Sequence, residues 1–438
     1  MDVREGIRTQ PMKGLQIQAV LICLILTMMD GFEILVMAFV APHLGKAWGL
    51  SPVEIGYLLS AGIFGMAIGS ALISPLADRI GRRKHAMLCL VFIIIGMALS
   101  ATAGSVTQMV IYRAFAGIFI GGLVATLNVT VSEYSSDKRR GSVMGIYGIG
   151  FPLGAAIGGF ISAMLIGKYG WPAPFIFGAA LSATMLLIVA VALPESVEYL
   201  VARRPAGALE QYNRIATRLG YDQVSELPEA KETGGAKSVA ASIFGGIMGK
   251  RTLFLWAGYA LLTACFYFAN TWTAKLLSDV TGDPQTGVKA GILVPLGGVI
   301  GALFFAALSL KLRPRLATAT IMALGTVAFL LYSNSFSNLT LALSLALLVG
   351  TFANGGVAAF YAISSSVYPA SARASGVGWM MAAARVVSIL TPIVTGYLLA
   401  AGWTPRGTYV LFAGFMALAG VAVLMLDATY RGEEAAKA

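Results

Sequence analysis

The chain has 438 residues, of which 58% are hydrophobic and only 12% are charged. Soluble domains carry about 25% charged residues, so this composition excludes an ordinary soluble protein and indicates an integral membrane protein. The formal net charge of +11 is also a feature of nucleic-acid-binding proteins, but the placement of the basic residues argues against that function.

Apolar segments recur along the whole chain at the length that a membrane helix needs. About 20 apolar residues cross the hydrocarbon core, and we predict twelve such spans, numbered 1 to 12 in chain order. Their limits are 17–40, 55–76, 86–103, 106–131, 141–166, 174–193, 252–274, 287–310, 316–333, 339–363, 375–400 and 407–427. One long connection separates six spans from six. The sequence therefore predicts an all-α integral membrane protein with an N-terminal half (1–193), a cytosolic linker (194–251) and a C-terminal half (252–438).

The basic residues are concentrated on one side of the predicted membrane. Of the 31 Lys and Arg residues, only five fall in loops on the opposite side and two fall inside spans. Basic loops resist translocation, so both termini are predicted to be cytoplasmic and the net charge is explained by topology. We therefore expect no nucleic-acid partner. The three cysteines, Cys23, Cys89 and Cys265, lie inside spans without a CxxC pair, so neither a disulfide nor a metal site is indicated.

Two carboxylates interrupt the first apolar run, in the sequence LTMMDGFEIL. Asp30 lies roughly 20 Å into the span, and Glu33 follows on nearly the same face. Spans 4 and 11 carry the opposite charge, as Arg113 and Arg385. A central charge costs about 2.5–3.5 kcal/mol, so these four side chains should face the interior. They are either structural ion pairs that hold helices together or carboxylates that change protonation beside a fixed Arg. Holding helices together is a poor reason to keep a buried ion pair, because apolar residues often stabilise a protein as well or better. Gly31 predicts either a local unwinding of span 1 or a close helix contact.

The linker contains apolar residues at helical spacing, and these are Leu209, Tyr212, Ile215, Ala216 and Leu219. The pattern predicts a short amphipathic helix along the cytosolic face. This helix either packs beneath the bundle or has a regulatory role. The segment KETGGAKS, residues 231–238, is predicted to be flexible.

The two halves of the chain contain similar short sequences at corresponding positions. EYSSDKR (133–139) leaves span 4 and VYPASAR (367–373) leaves span 10, and their Tyr and Arg recur at one offset. Parallel repeats of this kind are typical of alternating-access transporters, whose binding site lies at mid-depth between the repeats. The topology of six spans plus six independently indicates the same architecture.

Three motifs resemble signatures of the major facilitator superfamily. SPLADRIGRRK (74–84) is similar to GxxxDRxGRR between spans 2 and 3, with Ser74 in place of the usual Gly. RAFAGIFIGG (113–122) is similar to RxxxGxxxG of span 4, and PESVEYL (194–200) to the PESPRYL element that follows span 6. The resemblance covers the whole chain and implies the major facilitator fold, with twelve helices in two pseudo-symmetric halves.

The loop between spans 2 and 3 is short and therefore restricted in conformation. It presents its carboxylate to helix N-termini and its arginines to carboxylates of other segments. We expect a conformational latch between the halves, formed by Asp78, Arg79, Arg82, Glu133, Arg139, Glu195 and Arg373. The second-half copy of this loop, SLKLRPRLA (309–317), keeps basic charge but has no acid.

Shorter motifs resemble the aromatic acid/proton symporter family within the superfamily. DGFE in span 1 is similar to the family's DGFD, and RTLFLW (251–256) and YPASARASGVGW (368–379) are similar as well. The resemblance implicates Asp30, Glu33, Arg113 and Arg385 in transport. Some members use a His in the second half, whereas both histidines of this chain lie in the first half.

The buried charges and the resemblance together predict a secondary active transporter that takes up an aromatic carboxylate with protons across the bacterial inner membrane. An Arg fork binds a carboxylate bidentately, so Arg385 is the preferred anion ligand, with Arg113 held by Asp30 or Glu33 until a proton arrives. The candidate cargo-contacting residues are Tyr147, Phe151, Tyr267, Trp272, Asn354, Phe360, Tyr361 and Trp379. For each of them, helix packing or lipid contact is the alternative.

Two other transport functions share these features. A symporter of another organic anion would use the same arginines, and a proton-coupled exporter has the same topology. Exporters commonly carry GxxxGPxxGG in span 5, where this chain reads GFPLGAAIGG (150–159), which favours uptake. No HExxH, GxSxG or P-loop motif occurs, so enzymatic activity is not expected. We expect protons as the coupling ion, no cofactor or metal, and a monomer surrounded by lipid.

Overall fold

The computed structural model describes residues 2–229, 243–368 and 373–435. Within these ranges, 12 helices are long and apolar enough to cross a membrane, which confirms the predicted number of spans. Their bounds are Gly14–Trp48, Pro52–Leu72, Arg82–Ala101, Val106–Glu133, Arg140–Tyr169, Ala173–Ala192, Gly246–Thr281, Pro284–Ser309, Pro314–Ser333, Leu339–Val367, Arg373–Ala400 and Pro405–Ala435. The regular structure of the described residues is helical, as the predicted fold class requires.

Span 1 is longer than predicted, because it continues to Trp48 and not to residue 40. Pro42 lies inside this helix, and neighbouring helices allow a Pro to be tolerated in a membrane helix. The helix ends at Trp48, and the next residue, Gly49, has a φ of 64°, a left-handed conformation that glycine adopts without strain. The predicted end at residue 40 is therefore eight residues short of the observed end at Trp48.

The described residues form two compact units, each built from separate stretches of the chain. Unit 1 comprises Met1–Ile34, Ala61–Gly158 and Pro172–Gly234, and unit 2 comprises Leu35–Ser60, Gly159–Trp171 and Gly235–Ala438. Two pieces of the N-terminal half are therefore part of unit 2. Within unit 2, the hydroxyl of Tyr57 is 2.8 Å from that of Tyr397, and Ser60 donates to the carbonyl of Ile389 at 2.7 Å.

Glycines bring span 1 and span 5 into close contact inside unit 1. A Cβ atom at Gly31 would overlap the carbonyl oxygen of Phe151, and one at Gly154 would overlap that of Met28. Span 1 is helical through Gly31, so this glycine serves close helix packing and not a local unwinding. The glycines of span 4 also allow a close helix contact, since a Cβ at Gly117 would overlap a backbone carbonyl of span 2.

The linker helix is confirmed at Ala208–Arg218, with its apolar face buried. The hydroxyl of Tyr212 accepts from the backbone N–H of Val3 at 3.0 Å and lies 3.1 Å from a carboxylate oxygen of Asp2. Burial raises the pKa of Tyr212 to about 12. These contacts join the linker to the short N-terminal helix Val3–Thr9 and favour a packing role. The segment 231–238 lies outside the described residues.

Candidate functional site

Three of the four predicted intramembrane charges lie in unit 1 and are buried there. The exposed fractions are 3% for Asp30, 0% for Glu33 and 1% for Arg113. Asp30 and Glu33 are one helical turn apart on span 1, and Arg113 comes from span 4. The expectation that these charges face the interior is confirmed.

Glu33 is held through one of its two carboxylate oxygens. Its Oε1 accepts a hydrogen bond from the Ser182 hydroxyl of span 6 at 2.6 Å. Its Oε2 has no hydrogen-bond donor among the described residues. Sequence reasoning missed Ser182, because one serine in an apolar helix carries no distinguishing signal.

Arg113 contacts span 1 through the main chain. Its Nη2 donates to the backbone carbonyl of Glu33 at 2.5 Å, and its Nη1 lies 3.1 Å from the sulfur of Met97. The guanidinium carbon is 5.8 Å from the ring centre of Phe175, within the range of a cation–π contact. The arginine is thus positioned by groups that do not titrate, while the Glu33 carboxylate is bound to Ser182.

The predicted rings of unit 1 lie on span 5. Tyr147 is buried with 5% exposure, and Phe151 is half-buried. The carbonyl of Phe151 packs against Gly31, which separates the two acids in the sequence. The structure therefore brings the main chain of Phe151 against span 1 at Gly31.

Arg385 lies in unit 2 beside several tyrosines. The guanidinium is half-buried, and its Nη1 is 3.5 Å from the hydroxyl of Tyr267. Tyr259 donates to the hydroxyl of Tyr361 at 3.2 Å, and the two ring centres are 5.9 Å apart. We call Tyr259, Tyr267, Tyr361 and Arg385 the tyrosine–arginine cluster. Tyr259 was not predicted, although it stands eight residues before Tyr267 on the same helix.

The other predicted rings of unit 2 are placed differently from one another. Trp272 is buried, and its indole N–H donates to the carbonyl of Pro392 at 3.2 Å. Phe360 is fully buried with its ring centre 5.7 Å from that of Tyr259. Trp379 is 61% exposed. Trp272 and Phe360 therefore contribute to packing in this structure, and their predicted role in cargo binding stays a prediction.

Two amides of unit 2 are joined by a hydrogen bond. Asn270 of span 7 donates through Nδ2 to Oδ1 of Asn354 of span 10 at 3.4 Å. Asn354 in turn donates to the carbonyls of Gly350 and Val294, at 3.0 and 3.4 Å. The polar atoms of the predicted Asn354 are thus engaged, and Asn270 is the amide that sequence reasoning missed.

The predicted latch residues form a network inside unit 1. Arg82 pairs with Asp78 at 2.7 Å and with Glu133 at 3.4 Å. Oε1 of Glu195 accepts from the backbone N–H groups of Arg82 and Arg83, at 2.7 and 3.2 Å. A carboxylate in this position satisfies unpaired donors and complements the dipole at the N-terminus of span 3.

The remaining latch residues do not join this network. Arg79 and Arg139 are exposed, and the side chain of Arg373 lies outside the described residues. A latch between the halves stays a prediction.

The second-half copy of the loop obtains its acid from elsewhere in the chain. Arg315 pairs with Asp427 of span 12 at 3.0 Å. The guanidinium carbons of Arg315 and Arg251 lie 3.8 and 3.5 Å from the ring centre of Tyr430. Sequence reasoning missed Asp427, because it is more than a hundred residues away from the loop.

No group of three or more His, Cys, Asp or Glu side chains in the described ranges could hold a metal ion. All three cysteines are free and buried.

Comparison with known proteins places the chain among membrane transporters. The family model described as Major Facilitator Superfamily matches residues 20–357 and 296–438. The chain is 30% identical over 431 residues to the 4-hydroxybenzoate transporter PcaK of Pseudomonas putida, covering 97% of this chain and 95% of that protein. It is 29% identical to the gallate transporter of Pseudomonas putida (92% and 90% covered) and 25% identical to the benzoate transport protein of Acinetobacter baylyi (87% and 83% covered).

Among solved structures, the xylose transporter XylE from E. coli has the same fold. Its partially occluded inward-open structure matches with a TM-score of 0.68 at 16% identity, covering 93% of this chain and 97% of that one. The family match, the relatives and the shared fold lead to one conclusion: the chain is a multi-pass membrane transporter, not an enzyme, and belongs to the Major Facilitator Superfamily.

Proposed function

We propose that the protein takes up an aromatic carboxylate together with protons, across the bacterial inner membrane and with both termini in the cytoplasm. The observation that carries the proposal is the tyrosine–arginine cluster, which places a half-buried guanidinium beside phenol rings. The relatives named as transporters of 4-hydroxybenzoate, gallate and benzoate support the same class of cargo.

Arg385 is the proposed ligand of the cargo carboxylate. A guanidinium presents parallel N–H donors to the two oxygens of a carboxylate, which a Lys ammonium cannot do. The side chain is half-buried, so its charge is screened less than on an open surface. The hydroxyl of Tyr267, 3.5 Å away, supports the guanidinium without neutralising it.

Aromatic cargo suits the neighbours of this arginine. Tyr259, Tyr267 and Tyr361 offer ring faces and edges, and aromatic pairs contribute about 0.5–1.5 kcal/mol beyond the area that they bury. Tyr361 is 41% exposed, so its ring is accessible to a ligand. An aliphatic acid would keep the contact with Arg385 but lose the ring contacts.

Asp30 and Glu33 are the proposed proton carriers. Both are buried, and a buried carboxylate is far less costly when protonated than when charged. Glu33 accepts only one hydrogen bond among the described residues, so its ionised form depends on the nearby charge of Arg113. Proton binding at this pair should therefore be coupled to the conformational state of the carrier.

Coupling follows from the cost of uncompensated charge in a low-dielectric interior. A carrier with cargo on Arg385 and protons on its acids has few unpaired charges, and so does the empty carrier with its acids ionised near Arg113. The partly loaded forms have more unpaired charges than the loaded and empty forms, so their conformational change is slower. Only the loaded and empty forms then exchange rapidly, which is the requirement for symport.

Uptake into proteoliposomes tests the proposal. Purified protein receives an inward proton gradient and labelled 4-hydroxybenzoate, with Arg385→Ala and Asp30→Asn as variants. Arg406→Ala is the matched control, because Arg406 is an exposed arginine in the first turn of span 12. We expect gradient-driven uptake by the unmodified protein and the control, and loss in the two variants.

Three results would reject parts of the proposal. Uptake that is indifferent to the gradient rejects proton coupling. Uptake that survives Arg385→Ala rejects the anion site. Competition by aliphatic dicarboxylates or sugar acids, but not by benzoates, assigns the protein to another class of organic anion.

A further inference from the structure

The amide pair Asn270–Asn354 in unit 2 has a fixed orientation. Nδ2 of Asn270 donates to the backbone carbonyl of Phe266 at 2.8 Å as well as to Asn354. Nδ2 of Asn354 donates to two backbone carbonyls. Carbonyl oxygens only accept, so neither amide can exchange its nitrogen and oxygen without losing these bonds.

This orientation leaves one open acceptor. Oδ1 of Asn270 has no hydrogen-bond donor among the described residues, although the side chain is only 3% exposed. Buried polar atoms are paired in the large majority of cases, and an unpaired one lowers stability. A leucine would fill the same volume without this cost. A donor from outside the chain would satisfy this oxygen.

The open acceptor is close to the tyrosine–arginine cluster along span 7. Asn270 follows Tyr267 by three residues, which is about 4.5 Å along the helix axis and about 60° around it. Tyr267 contacts Arg385. A planar cargo whose carboxylate binds Arg385 can therefore extend its far side along span 7 toward Asn270.

We propose that Oδ1 of Asn270 accepts a hydrogen bond from a ring hydroxyl of the cargo, so that the carrier prefers hydroxylated over unsubstituted aromatic carboxylates. The inference rests on the proposed function, because it presupposes an aromatic carboxylate bound at Arg385. It assigns the contact with a ring hydroxyl to Asn270, whereas Asn354 is the amide among the cargo-contacting residues predicted from the sequence. The 2.8 Å bond from Nδ2 of Asn270 to the carbonyl of Phe266 orients the Asn270 amide independently of Asn354.

The test compares uptake of labelled benzoate and 4-hydroxybenzoate by purified protein in proteoliposomes. In Asn270→Ala, uptake of 4-hydroxybenzoate should fall about three- to tenfold relative to benzoate, the range expected for one lost hydrogen bond. Uptake of benzoate itself should stay within about twofold, since benzoate has no hydroxyl to bind.

Two further variants separate recognition from packing. Asn270→Thr should keep most of the preference, because a Thr hydroxyl can donate to the carbonyl of Phe266 and still accept from the cargo. Thr271 and Thr263 on the same helix already donate to the carbonyls four residues earlier, at 2.6 and 2.7 Å. Asn354→Leu is the matched control, because it breaks the amide pair but leaves the Asn270 oxygen in place.

The outcomes distinguish the inference from the proposed function. If the unmodified protein transports neither acid, the proposed function fails. If it transports both and Asn270→Ala leaves their ratio unchanged, or if Asn354→Leu changes the ratio equally, the inference is overturned and the proposed function stands. Should Asn270→Ala be too unstable for uptake, the thermal shift caused by each acid in detergent is compared for Asn270→Thr and Asn270→Leu. A preference for 4-hydroxybenzoate that Asn270→Thr keeps and Asn270→Leu loses supports the inference, and an equal preference in these two overturns it.

Discussion

Replacement of Glu33 by Gln isolates the proton that we assign to span 1. Oε1 of Glu33 accepts from Ser182 at 2.6 Å, and a Gln carbonyl oxygen can accept the same bond. Arg113 donates to the backbone carbonyl of residue 33, which the substitution does not change. The variant should therefore fold as the unmodified protein does and resemble its protonated form. What it loses is the titratable group.

The size of the effect follows from the number of protons that the site carries. One proton moving with a monovalent anion transfers no net charge, so only the pH gradient drives uptake. Each pH unit then supplies about 1.36 kcal/mol, which corresponds to about tenfold accumulation. If Glu33 carries that proton, Glu33→Gln should reduce the accumulation from about tenfold to about onefold per pH unit. If Asp30 carries a second proton, the unmodified protein accumulates cargo about a hundredfold per pH unit and gains about 2.3 kcal/mol per 100 mV of membrane potential; the variant then moves one proton with the anion, so it keeps about tenfold accumulation per pH unit and loses the contribution of the potential.

The assay measures accumulation in proteoliposomes at several pH gradients and, in parallel, counterflow without a gradient. We expect the dependence on the gradient to disappear and counterflow to persist, because the neutral carrier can still exchange cargo. The free energy of unfolding should not decrease, since a charged side chain in the membrane interior costs about 2.5–3.5 kcal/mol and Gln has no charge. An unchanged tenfold accumulation, in a variant that is stable and active in counterflow, would refute the assignment of the proton to Glu33.

Three further substitutions test other parts of the structure. Arg385→Lys keeps the charge but loses the two-pronged contact, so we expect about tenfold weaker competition by benzoates, and unchanged competition would contradict the carboxylate role. Asp78→Asn breaks the 2.7 Å ion pair with Arg82. The Asp78 side chain is largely exposed, so the free energy of unfolding should change by less than about 1 kcal/mol, while uptake should fall. Normal uptake would argue against a latch. Gly31→Ala forces a methyl group into a carbonyl of span 5 and should destabilise by about 1–3 kcal/mol, whereas Gly148→Ala, which meets nothing within 4 Å, should be neutral or stabilising in the same thermal unfolding measurement.

The number of spans was predictable from the sequence, but the end of the first helix was not. An apolar run of about 20 residues has few alternatives in a membrane protein, because unpaired backbone groups are excluded from lipid. Pro42 ends a helix in water more often than it ends one packed among other helices, so the extension to Trp48 depends on tertiary contacts. The two compact units also depend on such contacts, and no local pattern marks residues 35–60 or 159–171 as members of unit 2.

The charged members of the candidate site were predictable because a charge inside an apolar span is rare. Their partners were not. Ser182 and Asn270 are uncharged polar residues, which occur in many membrane helices and often bond to the backbone of their own turn. Only the atoms around them show that Ser182 donates to Glu33 and that Asn270 keeps an open acceptor. The contact of Arg113 with a backbone oxygen instead of a carboxylate is equally invisible in the sequence.

The two basic loops show why a missing motif residue does not mean a missing interaction. In the first half, Arg82 finds its acids in the same loop and at the end of span 4. In the second half the loop has no acid, and Arg315 instead pairs with Asp427 near the end of span 12. A guanidinium that is 16% exposed needs a counter-charge wherever the chain can supply one. The physical requirement is therefore met in both halves, while the motif that normally expresses it is present in only one.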